Sequence, residues 1–195
     1  AGSAGAAPHL AQTTEIVRQI ATEEGLRFRL ATISADINRE MTLSALRAGR
    51  VHAMEGMVPL TEDAIIESRH LVAQMGLEII QGALLDGAEV VIAGRACDTG
   101  IFAALPILLG FPEGLSIHLA KIVECASLCC VPGGRDAMLA TLDDCGFELE
   151  SMNPARAATP TSVAAHSLYE QSDPFSIYEP SGRVDLSDVT YAAVV

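Results

Sequence analysis

The 195-residue chain has no tryptophan, only 4% aromatic residues and a single lysine, Lys121. So few large rings argue against an all-β sandwich, whereas an alanine-rich composition suits close helix–sheet packing. Positive charge is scarce too: 12 Lys+Arg stand against 25 Asp+Glu, a formal net charge of -13. That excludes the basic footprint that nucleic acid needs. It does not exclude an anionic substrate, because a local arginine can reverse the field inside a cleft. No apolar run reaches the roughly 18–20 residues of a membrane helix, since Pro106, Gly110 and Pro112 interrupt the best stretch. A secretory signal is missing, and the five cysteines are an odd number, so reduced thiols in a soluble cytoplasmic protein are expected. The Rossmann glycine pattern, the P-loop ending and the Gly-x-Ser-x-Gly elbow are all lacking. Cys125, Cys129, Cys130, Cys145 and His118 lack the paired, loop-spaced ligand motif of zinc sites, so no metal is expected and no cofactor is identified.

What is present is half hydrophobic, enough for a sizeable core. After the glycine-rich start, Pro8 suits a first helical position, and Leu10, Ile16, Val17 and Ile20 follow at helical spacing up to Gly25. Residues 26–34 alternate like a strand. Asp36 or Asn38 can cap a helix running to Leu46 or Ala48. Residues 51–60 are irregular, and Thr61 opens a helix whose apolar series runs through Leu71 and Val72 to Gly76. Glu78–Leu85 is helical, and Val90, Val91 and Ile92 form a buried strand that ends at Gly94. A helix follows it, and another spans Leu115–Leu128. Met138–Asp143 and Phe147–Met152 read as paired strands, Ser162–Gln171 as a short helix capped by Thr161, and the tail as a hairpin around Ser181-Gly182.

This order predicts an α/β fold: a parallel-sheet core with crossover helices over residues 1–130, followed by a smaller α+β region over 131–195. The chain starts without methionine, at what reads as the loop after a strand, and stops inside a strand-like pattern. A fragment of a longer protein is expected.

The stretch Glu89–Leu109 is the strongest pointer to chemistry. A β-branched run delivers Arg95, Asp98 and Thr99 to its carboxyl edge, where α/β domains keep their sites. Either Arg95 grips a carboxylate or phosphate, helped by Thr99, with Asp98 as a base, or Arg95 and Asp98 simply pair and cap a turn. Gly2, Ser3 and Gly5, ahead of a helix, could hold an anion on backbone N–H groups or serve only a tight turn. Lys121 and Glu124 lie three residues apart on the helical face that also carries His118 and Cys125. They are either an acid–base pair or a surface ion pair. His166, Tyr169, Glu170 and Asp173 cluster in the same way, with His166 and Tyr169 one turn apart, as a proton-handling pair or as packed neighbours.

Four stretches, AGSAGAAPHL at 1–10, AEVVIAGRACDTGIFAALPILLGF at 88–111, HLAKIVECAS at 118–127 and TPTSVAAHSLYEQSDPFSIYEPSGRVDLS at 159–187, together resemble the acyclic terpene utilisation AtuA family. The resemblance implies a longer protein and a place in catabolism through acyl-CoA intermediates, and it transfers no catalytic residues. The expected function is a catabolic enzyme acting on a small carboxylate or acyl-CoA by hydration, lyase or hydrolysis chemistry. Asp98, His166, Lys121 and Glu124 are its candidate catalytic residues, and Arg95, Thr99, Gly2, Ser3 and Gly5 its candidate anion-binding residues. The rival is a non-catalytic acyl-CoA-binding or scaffolding subunit. Neither nucleic acid nor membrane is expected as a partner. Association as a homo-oligomer or with a small partner subunit is.

Overall fold

The computed structural model describes every residue except Ser3, Glu55, Ser172, Ser181 and Val195. The chain forms two compact units, one of residues 1–75 with 86–96 and the other of residues 76–85 with 97–195. The composition break near residue 131 falls inside the second. No helix among the described residues is long and apolar enough to cross a membrane.

In the first unit, helix α1 (Ala7–Glu23) starts with Pro8 in its first turn, where a missing N–H costs nothing. Strands β1 (Leu30–Ile33) and β2 (Val90–Ala93) run parallel, with Leu30 opposite Val90 and Ile33 opposite Ala93. Only Ile92 of β2 is buried, and its neighbours in the strand are half-buried. Helix α2 (Arg39–Arg47) is capped by Asn38, whose side chain accepts the Met41 N–H at 3.0 Å. Thr61 caps α3 (Glu62–Glu67) in the same way through Ala64. Both caps satisfy amide donors that a helix start leaves open.

The helix expected to continue from Thr61 through Leu71 and Val72 ends at Glu67 instead. Beyond it the backbone pairs with other segments: Ile37 N–H to Leu71 C=O at 2.7 Å, Ala73 N–H to Ala35 C=O at 2.9 Å, and Met75 N–H to Arg95 C=O at 3.0 Å. These long-range bonds take the groups a helix would have used, and they outweigh a local periodicity that favours it.

The second unit is built around α6 (Glu113–Val123), in which every residue from Ser116 to Ile122 is buried. On one side it packs with α4 (Leu77–Leu85) and α5 (Asp98–Leu108), where Leu77, Ile80, Ala103, Ala104, Ile117 and Ala120 form a core. Small alanines let these helices approach closely, and Gly100 lies directly against the Leu77 backbone. A second cluster joins Ile122, Cys129, Cys130 and Val163 to the hairpin of β3 (Met138–Leu142) and β4 (Phe147–Ser151). Strands β5 (Ser176–Glu179) and β6 (Gly182–Asp185) form a further antiparallel pair.

Three expected boundaries shift. Helix α6 stops at Val123 rather than Leu128, because Ala126 adopts a positive φ of 47° and the chain tightens into a 3-10 turn over Ala126–Cys129. Helix α7 covers Pro160–His166 and is capped by Thr159, not Thr161. Pro160 occupies its first turn, and Ser162 returns a hydrogen bond to the Thr159 N–H at 3.0 Å, completing a reciprocal cap. Asp98 opens α5 as a helical residue, and the capping position belongs to Cys97, whose side chain makes no capping bond.

The mixed helices and strands, with a parallel pair in the first unit, are those of the α/β class. That pair depends on a close backbone approach. Gly5, at φ +65°, lies against the backbone of Gly94 and Arg95, and a Cβ placed on Gly94 would fall 2.6 Å from the Gly5 carbonyl oxygen. Gly5→Ala therefore combines left-handed strain with overpacking and should cost about 2 kcal/mol or more. A urea midpoint unchanged from wild type would contradict this contact.

Candidate active site around Lys121

A helix buried on all sides normally carries apolar residues throughout. Helix α6 departs from that rule at His118 and Lys121, which are 3% and 7% exposed. The Lys121 ammonium is neutralised locally. It donates to Glu124 Oε1 at 2.6 Å, lies 3.7 Å from Glu170 Oε2, and faces the Tyr169 ring at 6.0 Å from its centroid. The Lys121 and Glu124 side chains are both more than nine-tenths buried, whereas Glu170 is largely exposed. Glu124 lies at the C-terminal end of α6. Glu170 is delivered by the turn after α7, where it takes a left-handed φ of 58°.

A cavity of about 270 Å³ opens onto this cluster and is lined by Asp98, Glu124, Cys125, Tyr169 and Glu170, with Ile101 and Phe102 as an apolar flank. One ammonium thus serves two carboxylates, Glu124 and Glu170, and Asp98 lines the cavity beside them. Burial pulls the Lys121 pKa down, but the hydrogen bond and charge of Glu124, with the charge of Glu170, outweigh it and hold the pKa above the ordinary lysine value. For Glu124 the balance runs the other way. Burial, the largest effect, raises its proton affinity, the hydrogen bond and charge of Lys121 lower it, and the charges of Asp98 and Glu170 raise it, with a net shift above the ordinary carboxyl range. The site therefore pairs a persistent ammonium with a carboxyl of raised proton affinity, a combination suited to general acid–base work. Burial and the same carboxylates raise the Cys125 thiol. That keeps it protonated and makes it a poor nucleophile.

His166 stacks on Tyr169, with centroids 5.4 Å apart and planes inclined by 16°. Its Nε2 is buried and makes no hydrogen bond. Burial, then the Lys121 charge, lowers its pKa and favours the neutral ring, while Glu170 opposes this. His166 lines a separate shallow hollow with Cys129 and Cys130, and Tyr169 borders both spaces.

The structure thus gathers Asp98, Lys121 and Glu124, with His166 adjoining through the Tyr169 ring. Thr99 is buried, and its hydroxyl lies 2.9 Å from Cys97 Sγ, whose thiol donates to Glu179 Oε2 at 2.6 Å. Arg95 is exposed at the carboxyl end of β2 in the first unit. Gly2 and Gly5 belong to that unit as well. There the first helical N–H of α1, on Ala7, donates to Asp36 Oδ2 at 2.7 Å, and Asp36 also meets His70 Nδ1 at 3.1 Å. A carboxylate of the chain itself therefore sits on this helix start. Ser3 lies outside the described residues. Among the described residues, no three or more His, Cys, Asp or Glu side chains are grouped to hold a metal ion. Glu170 and Tyr169 are the residues that sequence reasoning noticed but did not connect to Lys121. Nothing local marks them, since the connection spans nearly fifty positions.

A family model described as acyclic terpene utilisation family protein AtuA matches residues 2–147. The match includes Asp98, Lys121 and Glu124 and stops before His166, Tyr169 and Glu170. It also stops before the 159–187 stretch that carried part of the resemblance. Searches of curated proteins and of solved structures returned no match.

Removing one member of a buried ion pair strands the other. Lys121→Met should therefore cost about 3–5 kcal/mol at neutral pH. Because the folded-state pKa of Glu124 is raised, its ionisation with rising pH works against folding, and Lys121 offsets that penalty. The cost of Lys121→Met should accordingly shrink as pH falls and Glu124 takes up a proton. The double variant Lys121→Met, Glu124→Gln should recover most of the loss. Urea unfolding at pH 7.5 and pH 5 measures both effects, and a pH-independent cost in the single variant would contradict the pairing.

Proposed function

The chain belongs to the acyclic terpene utilisation AtuA family, and from that premise we propose that it is a catabolic enzyme acting on an acyl-CoA by proton-transfer chemistry. The observation that carries this reading is the buried Lys121–Glu124 pair, whose Glu124 lines a cavity together with Asp98 and Glu170. Glu124, with its raised proton affinity, is the proposed general acid–base. Lys121 holds Glu124 in place and offsets charge gained nearby, and Asp98 orients or activates water. His166 assists through Tyr169. Addition or removal of water at an activated double bond fits this set, and so does thioester hydrolysis.

Charge decides between the two substrate classes expected from sequence. Asp98, Glu124 and Glu170 line the cavity and disfavour a free carboxylate there, whereas a thioester carbonyl enters uncharged. In the first unit, the Arg95 guanidinium remains the candidate for holding a phosphate or carboxylate. A second reading, a non-catalytic acyl-CoA-binding or scaffolding subunit, is favoured by one observation. Helix α5 and its C-cap Leu109 expose a stripe, with Ile101, Phe102 and Leu105, of the kind partner proteins cover.

The test is a panel of acyl-CoA esters and the matching free acids, scored by thermal shift and by turnover. An acyl-CoA present at about 100 times its Kd should add roughly 2.7 kcal/mol of stability. The free acid should add less. Glu124→Gln should abolish turnover, a loss of at least about 100-fold, while leaving that stabilisation in place. Stabilisation without turnover in wild type would support the subunit reading, and equal stabilisation by the free acids would contradict the charge argument.

A further inference from the structure

Helices α6 and α7 are joined by a residue that belongs to neither. Tyr191 comes from the tail after β6. Its hydroxyl lies 3.3 Å from His118 Nε2 on α6 and 2.9 Å from Ser167 Oγ at the C-cap of α7. His118 and Ser167 are 3% and 5% exposed, so the bridge runs through the interior. Burial lowers the His118 pKa to about 4, which leaves a neutral ring with one N–H at physiological pH. Ser167 Oγ donates to Val163 C=O at 3.3 Å, so it accepts from the tyrosine O–H, and the tyrosine oxygen accepts from His118 Nε2. The Tyr191 ring also meets the His118 ring edge-on at 6.1 Å.

The bridge adjoins the Lys121 cluster on both sides. His118 is three residues before Lys121, and Ser167 is three before Glu170. At that next level Glu170 Oε2 lies 3.7 Å from the ammonium, and the Tyr169 ring faces it. The turn carrying these two residues is shaped by local bonds, Leu168 N–H to Ala165 C=O at 3.1 Å and Tyr169 N–H to His166 C=O at 2.9 Å. Such bonds set its form but do not tie it to α6. Glu170 also holds a left-handed φ of 58°, which is costly for a residue with a side chain and persists only where its surroundings fix it. The body of α7 is held differently, by Val163 in the apolar cluster with Ile122 and Cys129. A tether at Ser167 therefore acts on the end that carries Tyr169 and Glu170.

We infer that Tyr191 is a positioning residue for the Lys121 site, its hydroxyl clasping α6 to α7 so that Tyr169 and Glu170 stay over the ammonium. This role rests on the proton-transfer reading of that site, and Tyr191 itself touches no reacting group.

The readout is the Lys121 ammonium, followed by NMR in the whole protein labelled with ε-¹⁵N-lysine. Tyr191→Phe keeps the ring and removes only the hydroxyl. The ammonium protons should then exchange about fivefold faster than in wild type, the equivalent of one lost hydrogen bond. Ser167→Ala cuts the other end of the clasp and should give the same change, so one misfolded variant leaves the test intact. In a Glu170→Gln background, Tyr191→Phe should add less than about twofold, because the contact it positions is already gone. Turnover of an acyl-CoA is read separately, and Tyr191→Phe should lower kcat about tenfold with KM near wild type. Wild-type protein without turnover would remove the proton-transfer reading, and the exchange rates would still decide the clasp. Exchange at the wild-type rate in both single variants, a full fivefold change that persists without the Glu170 carboxylate, or an unchanged kcat in an active protein would each overturn the inference.

Discussion

A single ammonium group, buried in α6 and facing two carboxylates, is the constraint around which the second unit is arranged. Burying Lys121 without partners would cost several kcal/mol, so Glu124 and Glu170 are structural requirements before they are anything else. Burial first, and then the charges of Asp98 and Glu170, leave Glu124 with a raised affinity for a proton despite its bond to Lys121.

The same helix carries His118 three residues earlier in a different setting. There the partner is a tyrosine hydroxyl, and burial keeps the imidazole neutral.

Much of this was legible in the sequence where the determinants are local. The Thr61 cap, the strand at Val90–Ala93 and the i,i+3 relation of Lys121 and Glu124 follow from spacing alone, and Asn38 is one of two candidate caps, with Asp36, between which the structure chooses. The cap of α7 was legible too, since Thr159-Pro160 places proline in the first turn and Ser162 at the reciprocal position. Thr161 drew attention only because it stands next to the apolar run. What was not legible depended on distant partners. Leu71 and Val72 look helical until Ala35 and Ile37 claim the neighbouring backbone. Asp98 and Glu170 share a cavity through packing that no one-dimensional spacing encodes, and Tyr191 sits in a tail segment with nothing local to mark it as the partner of His118.

Because the chain contains one lysine, labelling with ε-¹⁵N-lysine yields a single side-chain resonance that reports directly on the ammonium. If Lys121 is held as described, that signal should show slowly exchanging ammonium protons at neutral pH and should stay protonated beyond the ordinary lysine pKa. A resonance with the rapid exchange of a solvated lysine, or one that loses its proton below that value, would contradict the account at its centre.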